Sequence, residues 1–305
     1  MTLSNEKILV TGATGLVGLP IVRELAKDNE VHAMARFRWP EALERLKATG
    51  AKLIEKDLAA ESFVDLPDDF TYVFHAGGFV GGRAERDWQR TFEVNTQAVG
   101  RLMHHCRNAK GFLHCSTGSV YAYQGQRPLG EDDPPGVHIP FYSLSKIAAE
   151  AVVRFASSAW DLPATILRIF VAYGPGGGVP ARRFDMLLKG EAVPLHPDKP
   201  NLSNPIHEDD YVALGIKAMG LGQTPPLTVN LAGSEAVSIE ELCEYMGGLA
   251  GVAPRFDYTE GQYTARWADV SRMHEVLGRT TVHWRDGMRR MIEKRYPETR
   301  LRDAG

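Results

Sequence analysis

The chain has 305 residues, 44% hydrophobic and 24% charged, a mix that can bury a sizeable core and excludes disordered and collagen-like chains. Thirty-five Lys plus Arg against 38 Asp plus Glu leave a formal charge of -3, without the basic footprint of a nucleic-acid or membrane-surface binder, so a small molecule or another protein is the expected partner. Three cysteines without CxxC spacing (Cys106, Cys115, Cys243) argue against a disulfide framework or a structural zinc and suit a reducing cytoplasm, and neither a membrane span nor a signal peptide is legible.

The first element is the apolar run KILV, a strand, followed by TGATGLVG at 11 to 18 and a helix over 16 to 27. Gly12, Gly15 and Gly18 sit between strand and helix, where bare backbone can approach a pyrophosphate and helix amides can bind its charge. VHAMA is the second strand. It runs into Arg36 and Arg38 with no acid at its end, and an arginine there suits the 2′-phosphate of NADP better than the ribose hydroxyls of NAD. A helix over 41 to 49 leads to the strand AKLIE, after which Asp57 could accept from an adenine amino group while Leu58 covers the ring. TYVFHA at 71 to 76, a helix over 88 to 107, and GFLHCS at 111 to 116 continue the alternation. A long helix from Tyr142 through Ser157 and the strand ATILRIF complete it, giving a doubly wound, parallel-sheet α/β fold of Rossmann type.

Tyr142 and Lys146 in YSLSK are spaced i, i+4, so both lie on one helix face. An ammonium beside a phenol favours the phenolate, and the expectation is a tyrosine pKa lowered towards neutrality, as a general acid/base needs. Beyond Tyr173 the texture is less regular, with GPGGGVP and scattered prolines, and LTVNLA at 227 to 232 is one more strand able to rejoin the first sheet. The expected organisation is a nucleotide-binding lobe over 1–173, completed by 205–232, with an interleaved substrate lobe from 174–204 and 233–305.

These motifs together resemble the extended short-chain dehydrogenase/reductase family, also called the NAD-dependent epimerase/dehydratase family. TGATGLVG is similar to its nucleotide loop, KDL at 56 to 58 to its adenine motif, and HAGG at 75 to 78 to its fourth-strand motif. EVNTQAVGRLM resembles its helix asparagine segment, CSTGSVYA its SSxxVYG, PFYSLSK its PxxYxxSK, and RIFVAYGPG its RxxNVYGPG. IHEDDYVA and ADVSRMHEVLG extend the likeness to about residue 290.

The resemblance implies hydride transfer between a nicotinamide and a carbon bearing a hydroxyl or carbonyl. Tyr142 would exchange the oxygen's proton, Lys146 would hold the nicotinamide ribose and tune Tyr142, and Thr117 would hydrogen-bond the reacting oxygen. Cofactor contacts would come from Gly12, Thr14, Gly15, Leu16 and Val17, from Arg36, Arg38, Asp57 and Leu58, and from Ala76, Gly77 and Gly78. Asn95, Ser116, Ile169 and Val171 would complete them, with Asn95 also supporting the active-site helix or a water relay. Substrate contacts are expected from Phe79, Val80, Thr117, Tyr173, Arg182 and Arg183. Relatives pair the helices bearing Asn95 and Tyr142 into a dimer, for which Ala148, Val152 and Phe155 are candidates.

Many such relatives act on nucleotide-diphosphate sugars, and the diphosphate-binding positions differ here. The Asn of RxxNVYGPG is Val171, an expected Arg falls at Ser203, and an expected Asn is Arg183. Fewer phosphate contacts favour a less anionic, more apolar ligand, although Arg182 and Arg183 could clamp an anion differently. The resulting expectation is an NADP-preferring oxidoreductase, with NAD possible, acting on a moderately apolar small molecule. The alternatives are an epimerase or dehydratase that retains its cofactor and acts on a sugar derivative, and a non-catalytic NADP-binding sensor. His104, His105 and Cys106 point in different directions on a helix and promise no metal site. His207 to Asp210 are expected to cap and link, and the Arg-rich segment 285–302 to form a solvated helix.

Overall fold

The computed structural model describes residues 3–60, 62–137, 139–260 and 266–302. Its elements begin with β1 (Lys7–Thr11), α1 (Gly18–Leu25), β2 (Glu30–Ala35), α2 (Pro40–Lys47), β3 (Lys52–Glu55) and β4 (Tyr72–His75). Then come α3 (Gly82–Arg86), α4 (Trp88–Phe92), a π-helical turn (Glu93–Gln97), α5 (Ala98–His105), β5 (Gly111–Thr117), α6 (Phe141–Trp160) and β6 (Ala164–Ile169). The later chain forms β7 (Val171–Gly174), β8 (Gly177–Gly178), α7 (Val179–Leu188), β9 (Ala192–Leu195), β10 (Leu202–Ser203) and β11 (Pro205–His207). It continues with α8 (Glu208–Met219), β12 (Leu227–Leu231), β13 (Val237–Ser238), α9 (Ile239–Ala250), β14 (Arg255–Tyr258), α10 (Ser271–Val276) and α11 (Trp284–Arg295).

Seven strands form one sheet in the order β12-β6-β5-β4-β1-β2-β3. The pairs β1·β2, β1·β4, β2·β3 and β4·β5 are all parallel. Central strands of such a sheet are covered on both faces, which is why Ile8, Leu9 and Val10 form an unbroken apolar run and are fully buried. The chain builds outward from β1 to β3, then crosses back to β4. The strand order therefore reverses between β1 and β4, the place where an open α/β sheet leaves a crevice at the carboxyl ends of its strands.

The chain divides into two compact units. One comprises Met1–Ala122, Pro134–Arg168 and Val212–Val229, and the other Tyr123–Asp133, Ile169–Tyr211 and Asn230–Gly305. By this division 123–133 lies with the second unit, and 205–232 is shared between the two. In the first unit, Leu9, Val73 and Phe112 of the sheet pack with Val99 and Leu102 of α5 and with Ala149 and Val153 of α6. The second has its own core, in which Phe184, Leu242, Met246, Trp284 and Met288 meet.

The expected helix over 88 to 107 is interrupted by the π turn, which holds Asn95 and which side-chain periodicity does not reveal. The later chain is also more regular than its prolines and glycines suggest. Pro180 falls in the first turn of α7, where its missing N–H costs nothing, and the Ser238 side chain caps α9 by accepting from the Glu241 amide. The Arg-rich α11 is not simply solvated: Trp284, Met288, Met291 and Ile292 line its buried face. All three cysteines are free and buried. Among the described residues, no helix is long and apolar enough to cross a membrane, and no group of three or more His, Cys, Asp or Glu side chains is placed to hold a metal ion.

Candidate active site

β1 ends at Thr11 and the chain turns at Gly12, whose φ of 65° disfavours any side chain. A Cβ on Gly12 would lie 2.6 Å from the Gly77 Cα, and one on Gly18 would lie 2.3 Å from the Gly12 oxygen. Thr14, Leu16 and Val17 are half-buried on this turn and Gly15 is exposed. Val17 provides no side-chain cap for α1, whose Leu19 amide donates to the Gly15 carbonyl at 3.1 Å and whose Pro20 carries no N–H, so an anion here would meet the Gly18 end of the helix and the glycine turn. The Thr11 hydroxyl accepts from the Gly77 amide at 3.1 Å and is hydrogen-bonded to His75 Nδ1 at 2.7 Å, which ties the ends of β1 and β4 together where the strand order reverses. Ala76 and Gly78 flank that contact. A cradle with no room for side chains beside an uncapped helix N-terminus fits a dinucleotide pyrophosphate.

Arg36 follows β2, and its guanidinium lies 3.8 Å from the Asp57 carboxylate. Arg90 of α4 hydrogen-bonds the same carboxylate, and the Ala59 amide donates to it at 3.0 Å. Burial alone would raise Asp57, but the Ala59 amide, Arg90 and Arg36 outweigh it and hold its carboxyl below the usual range. Arg36 is itself pushed down, by burial first and then by the positive charges of Arg38, Arg90 and Arg83, with only Asp57 opposing them. Four arginines therefore share one field with Asp57, and Arg90 also lies 3.7 Å from the Glu93 carboxylate. The carboxylate expected to read an adenine is engaged by arginines and a backbone amide, and Leu58 is buried in the core of the unit. Sequence reading missed Arg83 and Arg90, which reach this place from a segment far along the chain.

Thr117 closes β5, and Tyr142 and Lys146 occupy the first turns of α6. Thr117 is near enough to the Tyr142 phenol to favour its charged form, and its hydroxyl pairs with Ser119 Oγ at 3.0 Å and accepts from the Ser119 amide at 3.2 Å. Burial pushes the phenol up to about 12, with Thr117 opposing, so the lowering expected from the Tyr and Lys pair is not present in the chain alone. The physical reason is that both groups are enclosed: Lys146 is 3% exposed, and burial pulls its ammonium down to about 8 against the raising influence of Cys115 and Glu150. Asn95 sits in the π turn, donating to Ser145 Oγ at 2.9 Å and to the Phe79 oxygen at 3.0 Å, and accepting from the Phe79 amide at 2.7 Å. Ser145 Oγ in turn donates to the Tyr142 carbonyl at 2.7 Å. The asparagine thus joins the loop after β4 to the start of α6.

Behind Thr117 lies a buried ionic cluster that sequence reading also missed. Ser116 Oγ donates to Glu150 at 2.6 Å, and Arg168 grips both carboxylate oxygens at 2.9 and 2.7 Å. The same guanidinium donates to the Tyr121 hydroxyl at 2.8 Å and lies 4.7 Å from that ring's centroid. Signals for this pair exist in the sequence: Glu150 stands one turn after Lys146, and Arg168 is a lone cation in the apolar strand ATILRIF.

Phe79 is half-buried and Val80 is 46% exposed, on the segment after β4. Ile169, Val171, Tyr173, Arg182 and Arg183 belong to the second unit. Tyr173 is fully buried in that unit's core, and a Cβ on Gly287 would lie 2.0 Å from its hydroxyl, so its ring is committed to packing. Arg183 is 5% exposed on α7, whereas Arg182 is exposed. His207 Nδ1 accepts from the Asp209 amide, and Asp210 accepts from the Thr281 and Val282 amides, a linking role for this acidic run.

The model of the NAD dependent epimerase/dehydratase family matches residues 8–232. A Streptomyces sp. protein described as a 3-diazoavenalumate denitrifying reductase is 30% identical over 93% of this chain and 99% of its own. A Streptomyces bikiniensis dTDP-4-dehydro-6-deoxy-D-allose reductase is 27% identical over 90% of this chain and 91% of its own. Among solved structures, the Bacillus cereus UDP-glucuronic acid 4-epimerase with UDP-glucuronic acid and NAD superposes with a TM-score of 0.84 at 22% identity, covering 96% of this chain and 99% of that one. MoeE5 in complex with UDP-glucuronic acid and NAD gives 0.80 at 28% identity, with the same coverage.

Proposed function

Since the chain belongs to the NAD dependent epimerase/dehydratase family, we propose that it is an NADP-preferring oxidoreductase that moves hydride between nicotinamide and a carbonyl or secondary alcohol on a moderately apolar small molecule. The observation that carries this reading is Tyr142 in the first turn of α6 near Thr117 at the end of β5, with Lys146 one turn further along the same helix. The bound nicotinamide would supply the redox chemistry. Tyr142, protonated at neutral pH, is suited to give its proton to a substrate oxygen, and Thr117 to orient that oxygen. Lys146 would hold the nicotinamide ribose, Ser116 and Asn95 would border it, and the Gly12 to Val17 turn would take the pyrophosphate.

NADP preference is supported by Arg36, Arg38, Arg83 and Arg90 around Asp57, with Glu93 beside Arg90, an excess of positive charge suited to a ribose phosphate. Arg36→Ala and Arg90→Ala are each expected to raise the KM for NADPH about tenfold or more while leaving that for NADH within about twofold. Equal effects on the two cofactors would remove this role. An apolar pocket is supported by Val171 in place of the family's asparagine, and a substrate other than a nucleotide sugar by the relative named for 3-diazoavenalumate.

A second reading, an epimerase or dehydratase that retains its cofactor and works on a sugar derivative, is supported by the relatives named for sugar nucleotides and by the NAD in the solved neighbours. A panel of carbonyl compounds followed by NADPH absorbance decides between the readings. Net NADPH consumption is expected; nicotinamide that survives dialysis, with no net turnover, would favour the second. Exposed Phe155 on α6, 71% accessible, and Phe92 on α4, 44%, support a homodimer through the helices bearing Asn95 and Tyr142. Light scattering should report a dimer that Phe155→Glu converts to monomer, and a monomeric parent chain would dismiss it.

A further inference from the structure

α6 carries Tyr142 in its first turn but has no cap of its own: Pro140 occupies the N-cap position and offers no side-chain acceptor. The first amides of a helix need partners from elsewhere. Here the Phe141 amide donates to Glu85 Oε2 at 2.8 Å and the Tyr142 amide to Glu85 Oε1 at 3.2 Å. Both oxygens of one carboxylate, from α3 and 56 residues upstream, cap the helix, and its negative charge faces the positive end of the helix dipole.

The segment around Glu85 is tied down on either side. Asn95 pairs with both the amide and the carbonyl of Phe79, before α3. After α3, the Thr91 hydroxyl donates to the Ala84 and Asp87 carbonyls, Asp87 accepts from the Arg90 amide, and Arg90 holds Asp57. Glu85 is thus presented by a braced loop that also reaches the arginine cluster.

We propose that Glu85 is a positioning residue for the reaction: its carboxylate sets the first turn of α6 and thereby the placement of the Tyr142 phenol against Thr117. The inference rests on the reading of Tyr142 as the proton-transfer group. α6 is 20 residues long and is anchored further along by buried Ala149, Val153 and Ala156, so losing the cap frays its start and not the whole helix. Tyr142 lies in the turn that frays, while Lys146 lies one turn deeper and keeps its place. The chemical step should therefore suffer and cofactor binding should not.

The test compares Glu85→Ala, Glu85→Gln and Tyr142→Phe in the full chain, measuring kcat with the best carbonyl substrate and NADPH affinity by fluorescence titration. Glu85→Ala is expected to lose about tenfold in kcat, because small misplacements of a reacting group are costly, with NADPH affinity within about twofold of the parent. Glu85→Gln keeps one acceptor oxygen but loses the other and the charge, so its kcat should fall between those of the parent and Glu85→Ala. An unchanged kcat in Glu85→Ala overturns the proposal, as does cofactor affinity falling in step with kcat. A kcat for Glu85→Gln no higher than that for Glu85→Ala also overturns it, since the acceptor that survives would then contribute nothing. Should Tyr142→Phe keep full activity, the reading of Tyr142 itself fails; should Tyr142→Phe be inactive while Glu85→Ala is normal, only the role of Glu85 is lost.

Discussion

Tyr142→Phe should lower kcat by about 10²- to 10⁴-fold, the range for removing a positioned general acid, while NADPH affinity stays within about twofold. The substitution deletes one hydroxyl and keeps the ring, so the packing of α6 is preserved. Burial holds the phenol at about 12, so it is protonated throughout the neutral range and competent to donate in the reductive direction. As the proton leaves, negative charge develops on an enclosed oxygen, and the ammonium of Lys146 on the same helix face is placed to favour that state. Lys146 titrates at about 8, so reductive kcat/KM should be level below that pH and fall as the ammonium neutralises above it. Initial rates from pH 6 to 10 check the limb; a flat profile, or full activity in Tyr142→Phe, would sink the assignment.

Glu150→Ala should destabilise the protein by about 3–5 kcal/mol, because it removes the carboxylate that accepts two hydrogen bonds from Arg168, a guanidinium only 9% exposed. On a chain of this size that corresponds to a melting-temperature drop on the order of 10 °C. Replacing both partners, Glu150→Met with Arg168→Met, should cost far less, since the desolvation of both ions is then relieved together. Burial would raise the Glu150 carboxyl, but the hydrogen bonds and charge of Arg168 and the bond from Ser116 outweigh it and hold it below the ordinary range. A carboxyl depressed in the folded state contributes stability that is present above its unfolded pKa and is lost as pH falls through its folded one. The parent chain should therefore lose stability on acidification below the carboxylate range by an amount that the double variant does not show. Melting curves at neutral and acidic pH measure both effects, and a double variant as unstable as Glu150→Ala would refute the argument.

Local patterns carried much of the architecture. The alternation of apolar runs with helical segments announced the Rossmann-type sheet, because parallel strands buried on both faces leave unbroken runs such as KILV and ATILRIF. Gly12, Gly15 and Gly18 stood out because a turn this tight excludes side chains, and Tyr142 and Lys146 because i, i+4 spacing shares a helix face. Arg36 was legible as a cation in a place usually held by an acid.

Other features have no local signature. Arg90 and Asp57 meet across 33 residues of chain, and Glu85 reaches the start of α6 across 56. Neither sequence neighbourhood names its partner. The π turn at Asn95 and the buried face of α11 are similarly decided by what packs against them.

The sequence by itself determined the sheet-and-helix order, the glycine turn and the helix that bears Tyr142 and Lys146, since each depends on residues within one or two turns of each other. Tertiary structure decided the electrostatics: the high phenol, the lowered ammonium, the arginine cluster around Asp57, and the Glu85 cap. Burial and charge separation are properties of chain segments distant in sequence, and a carboxylate or guanidinium acquires its role only when folding selects which group it faces.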